Sequence, residues 1–219
     1  MLPAAGALLL LGLVAGCIER EPLPGPYYMT DTQGHASWDP VVLAGEGFIE
    51  LHEGILRIGA GEPMSAVRYT GVPHDQLPVT DYEIAWEARR VHGYDFFSAL
   101  TFPVGSLDTC LTVVIGGWGG KLVGFSSIDE QDASENPYST ERDFKNGTWY
   151  HFRLEVREQA VTLWVDGREA ARAPVAGRRI SLRPGDIEFC APLGFATYFS
   201  EGEVRNMVMR HLRPPARGL

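Results

Sequence analysis

The chain has 219 residues, of which 45% are hydrophobic and 21% charged, and its formal net charge is −9. This composition is that of an ordinary globular protein, and the length suits one large β-sandwich domain better than two small domains. The acidic charge, without any run of more than two Lys or Arg, argues against a nucleic-acid partner, because phosphate binding needs clustered cations.

The N-terminal segment is typical of an export signal. Residues 8–14 form an apolar stretch too short to span a bilayer, and small residues lie directly before Cys17. The run Val14-Ala15-Gly16-Cys17 resembles the bacterial lipobox, which implies removal of residues 1–16 and lipidation of Cys17. We therefore expect a lipoprotein of the cell envelope, anchored to the outer membrane or on the periplasmic side. The alternative is an ordinary cleaved signal followed by a free cysteine.

Proline alternates in the next segment, at Pro22, Pro24 and Pro26. Proline at this density favours an extended, solvated chain and cannot join a sheet. The sequence therefore predicts a tether over residues 17–37, a folded domain over residues 38–212 and a tail over residues 213–219.

Short segments with alternating apolar and polar residues follow from residue 48 onward, separated by turn residues. The longest covers residues 82–91, and the clearest hairpin joins residues 149–156 to residues 161–167, where an Asp-Gly turn ends the second strand. The remaining predicted strands cover residues 48–51, 55–58, 66–69, 96–102, 111–115, 122–126, 168–173, 195–199 and 204–211.

About a dozen strands without a helical period predict an all-β protein. Because no helix is available to cover a sheet, two antiparallel sheets must bury each other's apolar faces. We expect a sandwich or jelly roll.

The predicted hairpin also carries a resemblance. Residues 149–156 with 163–167 resemble the central hairpin shared by concanavalin A-like lectins, glucanases and laminin-G-like domains. Together with residues 81–89, 192–196 and 205–210 they are similar to the 3-keto-disaccharide hydrolase domain. The resemblance implies a concanavalin A-like jelly roll in an exported bacterial protein that binds or cleaves carbohydrate. One departure is that residues 94–99 stand where that family carries an Asn-Ser-Gly run.

Glu83 and Glu87 are the candidate catalytic residues, because glycoside hydrolysis ordinarily needs two carboxyl groups. They share one face of a strand, about 13 Å apart between Cα atoms. The laminarinase-like members of the superfamily place an Asp between two such glutamates, and this chain has Ala85 there. The alternative is a pair of solvated glutamates on an exposed sheet face.

Trp118 is the main candidate for sugar binding, since glycines on both sides can display its ring as a stacking platform. The same glycines are compatible with a hairpin loop that folds the ring inward. A long polar segment over residues 126–138, which we call the acidic loop, follows, and long loops on a β scaffold often bind ligands. It contributes the further candidates Asp129, Glu135 and Asn136, and Arg142 follows it. We expect no cofactor. One alternative is that oxygen atoms of the acidic loop bind Ca²⁺. The loop is also compatible with an acidic surface segment that binds nothing.

Cys110 and Cys190 remain as an even pair if Cys17 is lipidated. Outside the cytoplasm a disulfide between them would close a loop of roughly 80 residues and contribute about 4 kcal/mol in the chain-entropy model. Buried, unpaired thiols are the alternative.

These features predict a carbohydrate-binding lipoprotein. The first alternative is a glycoside hydrolase similar to the 3-keto-disaccharide hydrolases. The second is a protein-interaction module like the laminin-G-like domains, which would expose an apolar patch without a polar cleft.

Overall fold

The computed structural model describes residues 24–31 and 36–214, and within them two antiparallel β-sheets pack face to face. The predicted all-β sandwich is therefore confirmed. The predicted signal peptide over residues 1–16, Cys17 and the last residues of the tail lie outside the described residues. In the part of the chain that is described, no helix has the length and apolar character needed to cross a membrane.

Fifteen strands are found in the described residues. They are β1 (Tyr27–Tyr28), β2 (Trp38–Pro40), β3 (Ile49–His52), β4 (Ile55–Ile58), β5 (Met64–Tyr69), β6 (Tyr82–Gly93), β7 (Ala99–Val104), β8 (Ser106–Gly116), β9 (Leu122–Ser126), β10 (Thr140–Glu141), β11 (Tyr150–Val156), β12 (Ala160–Val165), β13 (Arg168–Pro174), β14 (Gly194–Tyr198) and β15 (Ser200–His211). Short 3₁₀ turns cover His74–Gln76 and Asp186–Cys190, and a tight turn with left-handed backbone covers Gly117–Gly120.

Two sheets result from the pairing of these strands. Sheet I has the order β13-β12-β11-β6-β15-β4-β3, with β1 also paired to β15. Sheet II has the order β10-β9-β8-β7-β14-β5-β2. The predicted hairpin is β11 and β12, with Phe152 opposite Val165 and Val156 opposite Val161.

Alternation along the strands produces the core between the sheets. In β6, Tyr82, Ile84, Trp86 and Ala88 are buried, and the residues between them are partly exposed. Successive side chains of a strand point to opposite faces, so this pattern gives sheet I one apolar face. Strands of sheet II bury residues of both faces, as in β7, where every residue is buried. Sheet II therefore has a second layer over its outer face.

The N-terminal boundary of the domain differs from the prediction. Tyr27 and Tyr28 pair with Met209 and Val208 of β15, and the Met29 side chain is fully buried. The Trp38 indole N–H donates a hydrogen bond to the Met29 carbonyl at 2.7 Å. The predicted tether over residues 17–37 is therefore wrong over residues 27–31, because an apolar segment follows the prolines and pairs with β15 of sheet I.

The predicted disulfide is not formed. Cys110 and Cys190 are free, buried thiols. The Cys110 thiol points at the Leu107 and Pro192 carbonyls, and the Cys190 thiol points at the Phe195 carbonyl. Burial raises the pKa of Cys110 to about 11 and that of Cys190 to about 12. The alternative interpretation, unpaired thiols that pack as small apolar groups, is the one that the structure supports.

The outer face of sheet I carries a network of ion pairs around Glu203. This side chain is 1% exposed and accepts hydrogen bonds from Arg57 at 3.0 Å and from Arg89 at 2.6 Å. Burial by itself would raise the pKa of Glu203, but the two guanidinium groups outweigh it and lower the pKa below 4.5.

Replacing Glu203 with glutamine should therefore reduce stability in a pH-dependent way. A lowered pKa in the folded state means that the contribution is fully present above 4.5 and is lost as the pH falls through the folded-state pKa. We expect Glu203→Gln to lower the free energy of unfolding by about 1–2 kcal/mol at pH 7 and by much less at pH 3. Urea unfolding at the two pH values measures both.

Glu50→Gln is the matched control, because Glu50 also pairs with Arg57 but is half exposed and 3.7 Å away. Its effect should stay below about 0.5 kcal/mol. An equal loss for Glu203→Gln at both pH values would contradict the assigned ionisation.

Candidate functional site

A groove of about 380 Å³ lies on the outer face of sheet II. Its floor is made of small side chains from three neighbouring strands: Ala99 of β7, Thr112 and Val114 of β8, and Ser126 of β9. These positions alternate with Leu100, Val113 and Phe125, which belong to the core between the sheets. The floor residues therefore face away from the core, and their small size leaves room for a ligand.

One wall of the groove comes from the chain that covers sheet II. The 3₁₀ turn Asp186–Cys190 packs onto this outer face, where Cys190 and Ile187 join a small apolar cluster with Ala66 and Ala196. Arg183, Pro184 and Asp186 extend along the groove. The covering layer buries the sheet face around Ala66 and Ala196, and the groove lies beside it.

Aromatic side chains form the remaining walls. Trp118 is 42% exposed, and Phe96 and Tyr198 lie with their ring centroids 5.3 Å apart. Asp95 contributes a carboxylate beside them. Aromatic surfaces with a few polar groups are typical of small-molecule sites.

The backbone around Trp118 displays its ring toward the groove. Trp118 has φ 47° and ψ 57°, in the left-handed region that side-chain-bearing residues rarely adopt. The next two residues, Gly119 and Gly120, also have positive φ. A Cβ at Gly120 would lie 2.8 Å from the Tyr94 carbonyl oxygen, so only glycine fits this close approach. The sequence-predicted role of these glycines, to free the backbone around one tryptophan, matches this geometry.

Asp95 connects two of the aromatic walls. Its Oδ1 accepts a hydrogen bond from the Phe96 amide at 2.8 Å, and its Oδ2 accepts one from the Gly119 amide at 3.0 Å. Ser200 in turn holds the Asp95 backbone, since it donates to the Asp95 carbonyl at 2.9 Å and accepts from the Asp95 amide at 3.0 Å. One carboxylate thus fixes the segment before Phe96 and the turn that carries Trp118.

Arg183 is held in place by the acidic loop. Its guanidinium forms an ion pair with Asp132 at 2.8 Å and lies 5.9 Å from the centroid of the Trp118 ring. Asp132 also accepts a hydrogen bond from the hydroxyl of Ser126 in the groove floor. The loop therefore reaches the groove through Asp132 and Arg183.

Of the residues predicted to bind carbohydrate, Trp118 is the one that lines the groove. Asp129 accepts a hydrogen bond from the Arg179 amide at 2.9 Å and pairs with Arg178 at 2.6 Å, and both interactions lower the pKa of Asp129. Glu135 accepts a hydrogen bond from the Asp132 amide at 3.0 Å. These two acids brace the loop and lie outside the groove lining, so their role in carbohydrate binding stays a prediction.

Asn136 and Arg142 also have structural roles. Asn136 is 5% exposed, and its amide donates to the Phe125 and Asp132 carbonyls at 2.8 Å each. Arg142 pairs with Asp166 and stands over the Tyr150 ring. Neither side chain lines the groove, because folding turns the first into the loop and the second toward the β12–β13 turn.

The predicted catalytic pair lies on the opposite side of the molecule. Glu83 and Glu87 alternate with the buried residues of β6, so they point outward from sheet I, whereas the groove opens outward from sheet II. The core between the sheets, about 10 Å thick, separates them from any ligand in the groove. The prediction that they act as a catalytic pair therefore finds no support in this geometry.

The environment of these two glutamates is ionic. Glu87 accepts hydrogen bonds from Arg205 at 2.7 and 2.9 Å and from Asn206 at 2.8 Å. Burial would raise the pKa of Glu87, but these donors lower it. Glu83 has Arg210 at 3.5 Å and Arg153 at 3.7 Å. A general acid needs a raised pKa, which Glu87 lacks, and both carboxylates take part in ion pairs.

Four residues that line the groove are not among the sequence-predicted site residues: Asp95, Phe96, Tyr198 and Arg183. Asp95 and Phe96 stand in the segment that departs from the family pattern, and that departure was the available signal. Tyr198 was one residue of a predicted strand, and Arg183 lies in a segment without a recognisable pattern.

The carboxylates of the acidic loop are the candidates for binding a metal ion. Within residues 24–31 and 36–214, no group of three or more His, Cys, Asp or Glu side chains is arranged to hold a metal ion. The loop carboxylates Asp129 and Asp132 are instead paired with Arg178 and Arg183.

Known proteins provide a comparison for the fold. No family model matches the sequence, and no curated protein matches it either. Bacillus licheniformis β-glucanase has a similar structure, with a TM-score of 0.56, 11% identity and coverage of 87% of this chain and 99% of that chain. Domain 4 of AbnA, an extracellular arabinanase from Geobacillus stearothermophilus solved with arabinotriose, is also similar. Its TM-score is 0.52 at 12% identity, and the match covers 86% of this chain and 92% of that chain.

A carbohydrate-binding module from Bacillus subtilis gives a TM-score of 0.50 at 12% identity, with coverage of 79% of this chain and 94% of that chain. At these identities the likeness concerns the fold. The chain has the concanavalin A-like jelly-roll fold that the hairpin resemblance predicted.

The position of Asp95 leads to a testable expectation. Asp95→Ala removes the acceptor of the Phe96 and Gly119 amides, so hydrogen exchange at Gly119 should accelerate by about tenfold, the factor that corresponds to 1.4 kcal/mol. Exchange followed by NMR on the assigned amides measures this. Asp186→Ala, which removes another groove carboxylate, should leave Gly119 unchanged. Equal exchange in wild type and Asp95→Ala would show that the turn is held without the carboxylate.

Proposed function

We propose that this protein binds carbohydrate in the groove on the outer face of sheet II. The observation that carries the proposal is the combination of an exposed tryptophan, Trp118, with a floor of small and hydroxyl-bearing side chains, Thr112 and Ser126 among them. A sugar ring has an apolar face that stacks on an aromatic ring and a rim of hydroxyls that need hydrogen-bond partners.

The polar groups of the groove suit a polyhydroxylated ligand. Asp95, Asp186 and Arg183 provide acceptors and donors around the aromatic walls. Arg183 is already paired with Asp132, so the groove offers no unbalanced positive charge toward an anion. A neutral saccharide is therefore the ligand class that this site favours.

The comparisons support the same class. The three similar structures are described as a glucanase, a carbohydrate-binding module and an arabinanase domain with bound arabinotriose. Their sequences are too distant to transfer a substrate, so the support for binding in this chain comes from its own groove.

Glycoside hydrolysis is the second candidate, including the 3-keto-disaccharide activity that the sequence resemblance implies. It is favoured by two carboxylates, Asp95 and Asp186, that line one groove. Both oxygens of Asp95 already accept hydrogen bonds from backbone amides. Asp186 is therefore the better candidate for a carboxylate that acts on a ligand. A protein-interaction module is less favoured, because polar groups of Asp95, Arg183 and Asp186 lie within the groove.

The test is to screen the protein on a glycan array and to incubate it with unmodified and 3-keto disaccharides. We expect retention of a saccharide without release of product, and we expect Trp118→Ala to weaken binding about tenfold or more while the melting temperature barely moves. Calorimetric titration measures the affinity.

Trp164→Ala is the matched control, since Trp164 is a partly exposed tryptophan on sheet I, stacked under Arg153 at 3.6 Å. It should leave affinity unchanged. Product formation that Asp186→Asn abolishes would establish the hydrolase instead. Failure to retain or cleave any saccharide would reject both functions.

Export and lipidation complete the proposal. The apolar segment over residues 8–14 and the small residues before Cys17 support cleavage before this cysteine and its acylation at the cell envelope. The ligand would then be captured on the outer side of a membrane.

Metabolic labelling with radioactive palmitate tests the anchor in a bacterial host. The wild-type chain should incorporate label and fractionate with membranes, and Cys17→Ser should do neither. Cys110→Ser, which replaces a buried thiol of the folded domain, should keep the label. Labelling of Cys17→Ser, or its absence in the wild type, would rule out this modification.

A further inference from the structure

A row of four aromatic rings leads away from the groove. It begins at Phe96 and Tyr198 in the groove wall and continues through Phe199 to Tyr94, and we call it the aromatic strip. Ring centroids are 5.3 Å apart for Phe96 and Tyr198, 4.9 Å for Tyr198 and Phe199, and 5.6 Å for Phe199 and Tyr94. The first two residues line the groove, and the last two lie beyond its lining.

The outermost ring of the strip, Tyr94, is the most exposed of the four. Phe199 is partly buried, whereas Tyr94 is 61% exposed. Tyr94 stacks on Phe199 at an interplanar angle of 12°, so one face of its ring is supported by the protein. An exposed aromatic ring supported from behind is well placed to stack on a ligand.

The backbone that holds the strip is strained. Phe199 has φ 43°, a conformation that is rare for a bulky residue. The Phe199 amide donates a hydrogen bond to the Pro63 carbonyl at 2.8 Å, and the Phe199 carbonyl accepts one from the Tyr94 amide at 3.4 Å. Trp118, on the groove itself, is the other aromatic residue with positive φ in the described part of the chain. Strain of this kind concentrates at functional sites, where the surrounding structure maintains it.

Asp95 joins the strip to the groove. It follows Tyr94 directly, and its carboxylate binds the amides of Phe96 and of Gly119 in the Trp118 turn. Ser200, which follows Phe199, binds the Asp95 backbone from the other side. These hydrogen bonds therefore connect the outer rings to the groove wall.

We propose that the aromatic strip is a second sugar subsite, with Tyr94 stacking on an outer ring, and that the ligand is an oligosaccharide of at least two residues. This inference rests on the proposed carbohydrate binding in the groove. The groove volume of about 380 Å³ lies near the lower end of ligand pockets, which suits a short ligand segment, and the strip continues the aromatic wall past it. A saccharide chain is the ligand whose repeating apolar ring faces match a row of separate aromatic rings.

A chain-length series tests the subsite. The probes are glucose, cellobiose and cellotriose, arabinose to arabinotriose, and N-acetylglucosamine to its trimer, each titrated calorimetrically against the full chain. In the series that binds, we expect the oligosaccharide to bind at least tenfold more tightly than the monosaccharide. Tyr94→Ala should remove most of this gain and change monosaccharide affinity less than twofold.

Two further variants make the result specific. Tyr94→Phe keeps the ring and should keep the gain. Tyr28→Ala removes another exposed tyrosine, 41% exposed at the edge of sheet I, and should have no effect at any length. A melting temperature close to the wild-type value for Tyr94→Ala confirms that the fold is intact.

The outcomes separate the two proposals. Equal affinity for monosaccharide and oligosaccharide, or an equal loss at all lengths in Tyr94→Ala, overturns the second subsite and leaves the groove as a sugar site. Absence of binding for every member of the three series overturns carbohydrate binding itself.

Discussion

The packing of the Trp86 side chain between the two sheets is the interaction on which the rest of the structure depends. Trp86 is 2% exposed and lies on β6, in the middle of sheet I. Its ring stacks on Phe152 of the neighbouring strand at 5.2 Å and meets the edge of Phe195 from sheet II at 6.1 Å. One residue thus joins the central strands of both sheets, and large aromatic side chains contribute more buried area than any other residue type.

A polar contact of the same indole links the core to the groove. The Trp86 N–H donates a hydrogen bond to the hydroxyl of Ser98 at 3.1 Å, and Ser98 is fully buried. Ser98 directly precedes Ala99, which lies in the groove floor. Because a buried N–H without a partner is costly, this bond helps to fix where β7 begins. The floor of the groove is therefore positioned by the core beneath it.

The outer faces of the two sheets have different chemistry, and this difference decides where a ligand fits. On sheet I, arginines and glutamates pair with each other, and Arg89 and Arg205 both stand over the Trp149 ring, at 4.7 and 4.0 Å. Charges and aromatic faces are mutually satisfied there. On sheet II, small side chains of alanine, threonine, valine and serine leave a depression, and Trp118, Phe96 and Tyr198 stand at its edge.

The loops around the groove hold its lining side chains in position, and most of their polar residues do not line the groove themselves. Asn136 and Glu135 hold the acidic loop together, so that Asp132 can fix Arg183. Asp95 does the same for Trp118 and Phe96 from the opposite side. Groups that are held by a second layer of hydrogen bonds lose little freedom on binding, which favours affinity for a small polar ligand.

The sequence by itself determined the two-sheet architecture and the central hairpin, because alternation at period two is a local property that each strand carries. It also predicted a glycine-flanked turn that displays Trp118, because glycines beside an aromatic residue are a local feature of the sequence. It could not determine which polar residues meet. Asp95, Trp118 and Arg183 lie on separate segments that only the folded sheets bring together, whereas Glu83 and Glu87, close in sequence, were turned to the opposite face. Which face of a sheet stays open depends on what packs over it, and that is decided by tertiary structure alone.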